Sequence, residues 1–385
     1  MMIKTFSNEF NMYKSTKKMQ CLEIEKGIVL PRLFSENGPM WGLGGVCDRE
    51  NSFVALSFYD GGWAKHGGKY EWKQEEYVDE EVVYFGLFLK HWGHFLVDLI
   101  GRAWYLPRVN ENTKIVYIGE EEPVGNYLEF FELLGIKPDQ LMHVTKPTRF
   151  KKVIVPEFSC RPCIWYTEEF RSTFDYMAEK LEKENYVPAN VSNLDKVYFS
   201  RLSYGKATQT EFGEALIVDW MRDNDFTIIS PEKLSLRDQI YIWNQAKEIV
   251  CLNGSIPINI MFSKNKDLNL IVMNKTSLIH KNLDLFLLMR DCKATFLDVY
   301  REPVKGYPKS IGAGPFLLGI SDDIREYSEK NRMKFSFEER HIKKSWRINT
   351  LKLVWCILDL KGKMRRTASK LLPDNLKAKI RKVRK

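Results

Sequence analysis

The run His91-Trp-Gly-His94-Phe-Leu-Val-Asp98-Leu-Ile-Gly-Arg102-Ala-Trp-Tyr-Leu106 places two imidazoles, a carboxylate and a guanidinium at spacings of three, four and four residues in an otherwise apolar stretch. At helical pitch these side chains form a single stripe, with neighbours about 5–6 Å apart. The other faces are apolar or small, so the helix is expected to be buried nearly all round. Charge on a buried helix must meet partners or a wet cleft, because an unpaired buried charge is costly. An imidazole beside a carboxylate is how a general base is oriented and tuned. The same trio also reads as a polar network that merely ties the helix into the core. His94 and Asp98 are the candidate base and orienting partner, in either order. Arg102 and His91 are candidates for orienting them or touching a substrate.

A second set of polar residues follows predicted strands. Arg201 closes the run Val197-Tyr-Phe-Ser-Arg201, where a side chain can point into the crevice at the carboxyl edge of an open α/β sheet. With Lys206 nearby, its planar guanidinium suits a phosphate, although a surface charge is the commoner fate of such an Arg. Leu252-Asn253-Gly254-Ser255-Ile256-Pro257 leaves another predicted strand. A strand, a Gly-containing turn and a helix start aim backbone N–H groups at an anion, here a pyrophosphate. Asn274, after the next strand, can take a hydrogen bond but carries no charge.

The elements that must position these residues alternate. Short β-branched runs at Val82–Gly86, Lys114–Gly119, Lys152–Pro156, Lys196–Arg201, Phe226–Pro231, Glu248–Gly254, Leu268–Asn274 and Ala294–Tyr300 read as strands. Helical patterns fall between them at Trp92–Leu106, Gly125–Leu134, Thr167–Glu184, Glu211–Asp223, Leu236–Ala246 and Ser277–Met289. This alternation predicts an α/β chain with parallel sheets and crossover helices. The polar stretch Asn185–Leu194 separates a lobe over 41–190 from a second over 191–320. Residues 1–40 are weakly patterned, and 321–385 read as a helical tail.

At 385 residues with 44% hydrophobic and 28% charged residues, the chain has the composition of a folded protein with more than one domain. The net charge of +9 is concentrated: residues 341–385 hold 15 Lys/Arg against two Asp/Glu, leaving 44 against 48 elsewhere. Leu372, Leu376, Ile380 and Val383 recur at helical spacing among those charges, a basic amphipathic pattern suited to an anionic membrane surface through 343–385. The alternatives are a solvated tail or one docked on the acidic body. Nucleic acid is disfavoured because the last 25 residues contain no aromatic platform. Seven scattered cysteines and no apolar leader over Met1–Lys18 lead us to expect reduced thiols and a cytoplasmic protein at the inner face of the plasma membrane.

Other motifs carry little. Asp223-Asn-Asp225 reads as a turn after a helix rather than a metal site. Cys160-Arg-Pro-Cys163 lacks the second ligand pair of structural zinc. Gly42-Leu-Gly-Gly45 is not a dinucleotide fingerprint. His66, His143, His280 and His341 show no ligand spacing.

The spacing H-x-x-x-D-x-x-x-R in an apolar helix after a strand resembles the "HWLLDxLPRL" signature of glycosyltransferase family 61, with His94, Asp98 and Arg102 on its polar positions and Gly101 where Pro is usual. Val197-Tyr-Phe-Ser-Arg201, Glu211 and Ile228-Ile-Ser-Pro-Glu232-Lys-Leu-Ser-Leu-Arg-Asp-Gln239 are similar to that family's "VYISR … NE … GF … PE-LS-x-x-EQ". Leu252–Phe262 resembles its "HGAGLTNLMF", with Asn253 for His, Ile256 for Gly and Pro257 for Leu. Asn274 stands where a Glu is common. The resemblance implies the two-lobed GT-B architecture with the acceptor on the first lobe and the donor on the second. It implies inversion without an obligatory metal or other cofactor, the activated, nucleotide-linked sugar being substrate. Donor-binding residues are then Arg201, Lys206, Glu211, Asn253, Gly254, Ser255, Asn259 and Asn274, and Arg102 and His91 lie on the acceptor side. The members of this family in bacteria build capsular and other surface polysaccharides, so a glycan or lipid-linked acceptor is expected. The substitutions also admit a non-catalytic scaffold in a polysaccharide-assembly complex, or a transferase of polyol phosphate.

Overall fold

β-branched runs that are apolar on both sides can only be satisfied by cover on both faces, and they assemble here into two largely parallel sheets. The computed structural model describes residues 4–5, 12–119, 121–189, 193–205, 211–277, 281–301, 310–312, 314 and 316–335, with scattered positions between 353 and 367. The first sheet comprises β1 (Cys21–Glu25), β2 (Ile28–Leu33), β3 (Leu43–Cys47), β4 (Glu76–Phe88), β5 (Lys114–Gly119), β6 (Leu141–His143) and β7 (Thr148–Pro156). Its order is β6-β5-β4-β7-β2-β3, with β1 also on β7. β4 to β7 run parallel, and β1 to β3 add antiparallel pairs.

The second sheet contains β8 (Lys196–Phe199), β9 (Thr227–Ile229), β10 (Glu248–Leu252), β11 (Asn269–Asn274) and β12 (Ala294–Asp298), in the order β12-β11-β10-β8-β9 and all parallel. Lys4–Thr5 closes its outer edge, antiparallel to β12. Every predicted strand is present. Residues 1–40 are a correction: weak in pattern, they nonetheless supply strands to both sheets. Lys4–Thr5 and β1 find their partners far along the chain, so no local signal marks them, whereas β2 pairs with the neighbouring β3 as well as with β7.

Helices α1 (Asn126–Leu133), α2 (Glu168–Lys183), α4 (Leu236–Gln245) and α5 (Lys281–Arg290) fill the space between the sheets. One continuous core joins Phe85 and Ile115 of the first sheet to Phe130, Phe131, Phe174, Trp243 and Phe286 of the helices and Phe199 and Val272 of the second. Full burial of each such side chain contributes about 1.5–3 kcal/mol. Thr167 caps α2 and Ser235 caps α4, each hydroxyl accepting the backbone N–H three residues on. On the far face of the second sheet, α3 (Glu214–Asp223) and α6 (Asp322–Lys330) pack Ile217, Trp220, Ile324 and Tyr327 against Tyr198, Val250 and Met273.

Two further expectations are corrected. The region from 321 is not tail at its start, because Ile324 and Tyr327 anchor α6 in that core and Ser321 caps it. Glu211 does not begin a helix: Glu211–Phe212 is a short strand on Phe316–Leu318, and the helix starts at Glu214. The basic segment 343–385 lies almost wholly outside the described residues, as does Lys206. Among the described residues no helix is long and apolar enough to cross a membrane.

Candidate active site

β4 delivers the His/Asp/Arg stripe. Its buried half, Val82–Phe88, ends beside His91, whose extended backbone and Nδ1, accepting from the His94 N–H at 3.4 Å, open the helical segment. That segment is not uniform. Trp92–His94 form an α-turn, Phe95–Leu99 a π-helical turn and Ile100–Arg108 a 3₁₀ run. Nine residues of 3₁₀ helix are unusual and π turns cluster at functional sites. A local cause is visible: the Gly101 carbonyl is taken by the Ser159 N–H at 2.8 Å and hydroxyl at 2.7 Å, so it is diverted from the helix's own ladder. A side chain at 101 would collide with Phe158, since an added Cβ would lie 2.0 Å from its ring.

His94 Nδ1 lies 3.0 Å from Asp98 Oδ2; the imidazole is 36% exposed and the carboxylate 1%. The other oxygen of Asp98 accepts from the Tyr59 hydroxyl and, at 3.2 Å, from Trp63 Nε1. A buried carboxylate is tolerable with such partners. With Asp98 accepting throughout, the proton of His94 belongs on Nδ1, which leaves Nε2 with a lone pair. Burial, reinforced by the Asp98 charge, raises Tyr59 far above the usual phenol range, so its hydroxyl keeps its proton and donates. The same two causes, burial first, push the Cys160 thiol well up and Cys163 to about 11. Rings of Trp41, Trp63 and His94 meet at 4.9 to 5.4 Å, and His91 lies 4.3 Å from His94.

Arg102 departs from its expected role. It is fully buried and donates to Pro156 O at 2.8 Å and Leu56 O at 2.7 Å, with its guanidinium 4.0 Å from the Phe158 ring. It does not reach Asp98, because the π turn and the following 3₁₀ run rotate it toward β7. Gly86 makes room for it, with φ +118 and an added Cβ only 2.9 Å from Arg102 Nη1. Arg102 is therefore a strut for the helix rather than a contact for an acceptor.

On the second sheet, Arg201 lies two residues beyond β8 and donates to Glu211 Oε2 at 2.8 Å, while Lys275 donates to Glu211 Oε1 at 2.6 Å. Glu211 is thus sealed between two cations and positions them, instead of facing a ligand itself. Lys275 was not anticipated; burial lowers its pKa, opposed by Glu211. Asn253 Nδ2 donates to Asn274 at 2.9 Å, and Asn274 Nδ2 to Asp298 at 2.8 Å, linking the carboxyl ends of β10, β11 and β12. Asn253 Oδ1 is buried without a partner. Asn259 is corrected: at 3% exposure it accepts from Trp92 Nε1 at 3.0 Å, making a joint between the two halves instead of a donor contact.

The two sets of predicted residues meet. A Cβ on Gly93 would lie 3.5 Å from Ser255 Cβ, and one on Gly254 would lie 3.7 Å from Lys275 Nζ. A continuous path therefore runs from His94 through Gly93, Ser255, Gly254 and Lys275 to Glu211 and Arg201. Asp223 and Asp225 flank a turn in which Asn224 Nδ2 bonds Trp220 O and Lys334 O. Among the described residues no group of His, Cys, Asp or Glu could hold a metal ion. Tyr59, Trp63, Trp92 and Lys275 escaped the sequence reading. The aromatic richness before His91 is the only hint of the first two, and Trp92 lies inside the stripe segment without being marked by its spacing.

An α/β protein in which a hydrogen-bonded imidazole–carboxylate pair adjoins a glycine turn with a lysine beside it is the class that this arrangement defines. Residues 92–272 match the family model Glycosyltransferase 61, so the chain carries a domain of that family and is a glycosyltransferase. No curated protein matches the chain.

Proposed function

We propose that the enzyme moves a sugar from a nucleotide-linked donor to a hydroxyl of a glycan or lipid-linked acceptor in the assembly of a bacterial surface polysaccharide. The supporting observation is the abutment of Gly93 on Ser255, which brings the His94–Asp98 pair beside the Gly254 turn and its cations. In this reading the two sheets are the lobes of a GT-B enzyme, with acceptor on the first and donor on the second. His94 Nε2 takes the proton of the acceptor hydroxyl, and Asp98 holds the ring and stabilises the imidazolium that forms. The acceptor oxygen attacks the anomeric carbon opposite the departing phosphate, which inverts the configuration. Arg201, Lys275 and backbone N–H groups of the Gly254–Ser255 turn meet the charge on the leaving group, with no metal required.

Sugar transfer followed by mass spectrometry with a panel of nucleotide sugars tests this. His94→Ala and Asp98→Asn are each expected to lower the rate by about 10²–10⁴-fold without unfolding the protein. Full activity in His94→Ala removes the base from the scheme. Transfer of a polyol phosphate, or binding of no donor at all, would instead support the other two readings. In this reading the basic amphipathic pattern of 343–385 is what holds the enzyme to the cytoplasmic face of the membrane. Accordingly, sedimentation with anionic vesicles should weaken with salt and disappear when 341–385 are deleted.

A further inference from the structure

Trp63 is unusual among the aromatic residues around Asp98 because it is 46% exposed, whereas Trp41 and Tyr59 are 7% and 4%. Burial does not explain an indole held so openly. It stands on the short hairpin Tyr59–Asp60 and Lys65–His66, and its Nε1 is fastened to Asp98 Oδ1 at 3.2 Å. Its plane lies 26° from that of the His94 imidazole at 4.9 Å, and Trp41 braces both rings edge-on at 5.1 and 5.4 Å. The result is an aromatic cluster packed around the His94 imidazole, with Trp63 its solvent-exposed member.

A flat apolar surface next to a polar reacting group suits a ligand with an apolar face and a polar rim. A pyranose has that shape, with axial C–H groups on one side and hydroxyls around the edge. A polyol chain or a phosphate headgroup has no such face. Resting on the assignment of His94 as base, we infer that Trp63 recognises the acceptor by stacking on a pyranose ring, which sets one ring hydroxyl against His94 Nε2. The bond from its Nε1 to Asp98 ties this platform to the base, so that the acceptor's position and the orientation of the imidazole are fixed by one carboxylate. The acceptor end is then a sugar, whatever carries it further away.

Saturation-transfer NMR with methyl pyranosides of glucose, galactose, mannose and N-acetylglucosamine tests the inference, using the full chain and its Trp63→Ala, Trp63→Phe and His94→Ala variants. At least one pyranoside should bind the unaltered protein, with saturation strongest on the protons of one ring face. Trp63→Ala should weaken that binding about tenfold or more, and Trp63→Phe, which keeps a ring, should retain most of it. His94→Ala should still bind the sugar while failing to transfer. The inference is overturned if no pyranoside binds the unaltered protein, if Trp63→Ala binds as well as the parent, or if Trp63→Phe is as weak as Trp63→Ala with both melting like the parent. Normal transfer by His94→Ala would sink the catalytic assignment separately.

Discussion

At the scale of single residues, the site depends on which groups are denied water. His66 is an example outside the reacting pair. Its Nδ1 meets Trp41 O at 3.1 Å, its Nε2 is buried without a partner, and burial pushes its pKa down from 6.5 to about 4. The folded protein thus prefers the neutral ring, while the unfolded chain takes up a proton below pH 6.5. Stability from this group is present above that value and is lost as the pH falls toward 4, amounting to about 3 kcal/mol. Urea titrations across that interval should show His66→Gln losing less stability than the parent by roughly this amount. Parallel curves for the two proteins would contradict the assignment. Because Trp41 braces His94 and Trp63, acidification should disturb the active-site wall before the sheets melt.

At the scale of elements, the helical segment after β4 does more than present a stripe. Its change from α to π to 3₁₀ keeps His94 and Asp98 paired and turns Arg102 away. Gly101→Ala should cost about 1–3 kcal/mol, because Phe158 can yield only by leaving the Arg102 guanidinium and the Tyr59 ring. A thermal melt unchanged from the parent would show that the ring moves freely. This segment also marks where sequence stops being informative. The runs of strands, the helices between them and the local spacing of His94 and Asp98 were legible because each is a short-range pattern. The type of helix was not, since it follows from the hold of Ser159 on a carbonyl 58 residues away. Trp63 and Lys275 reach their partners across 35 and 64 residues, and nothing near them in the chain announces it. The reassignment of Arg102 has the same origin, because its acceptors, Leu56 in the 3₁₀ turn Ala55–Ser57 and Pro156 at the end of β7, are distant in the chain.

At the scale of the whole molecule, the Trp92–Asn259 hydrogen bond ties the His94-bearing segment to the segment after the Gly254 turn. Nearby, Glu129 of α1 accepts the Leu236 N–H of α4 at 2.5 Å. Trp92→Phe and Asn259→Ala should each lower transfer several-fold by loosening this joint, and the double variant should be little worse than either alone. Fully additive losses would mean that the two residues act separately. The chain's beginning is bound into the same construction. Lys4–Thr5 crosses from the first half to lie along β12, whose last residue, Asp298, anchors the amide relay through Asn274 to Asn253. Removing Lys4 and Thr5 therefore strips the guard from an open strand margin. Self-association of the preparation, together with a loosened Asn253–Asn274–Asp298 relay, is the expected result, although the excised residues are far in sequence from all three.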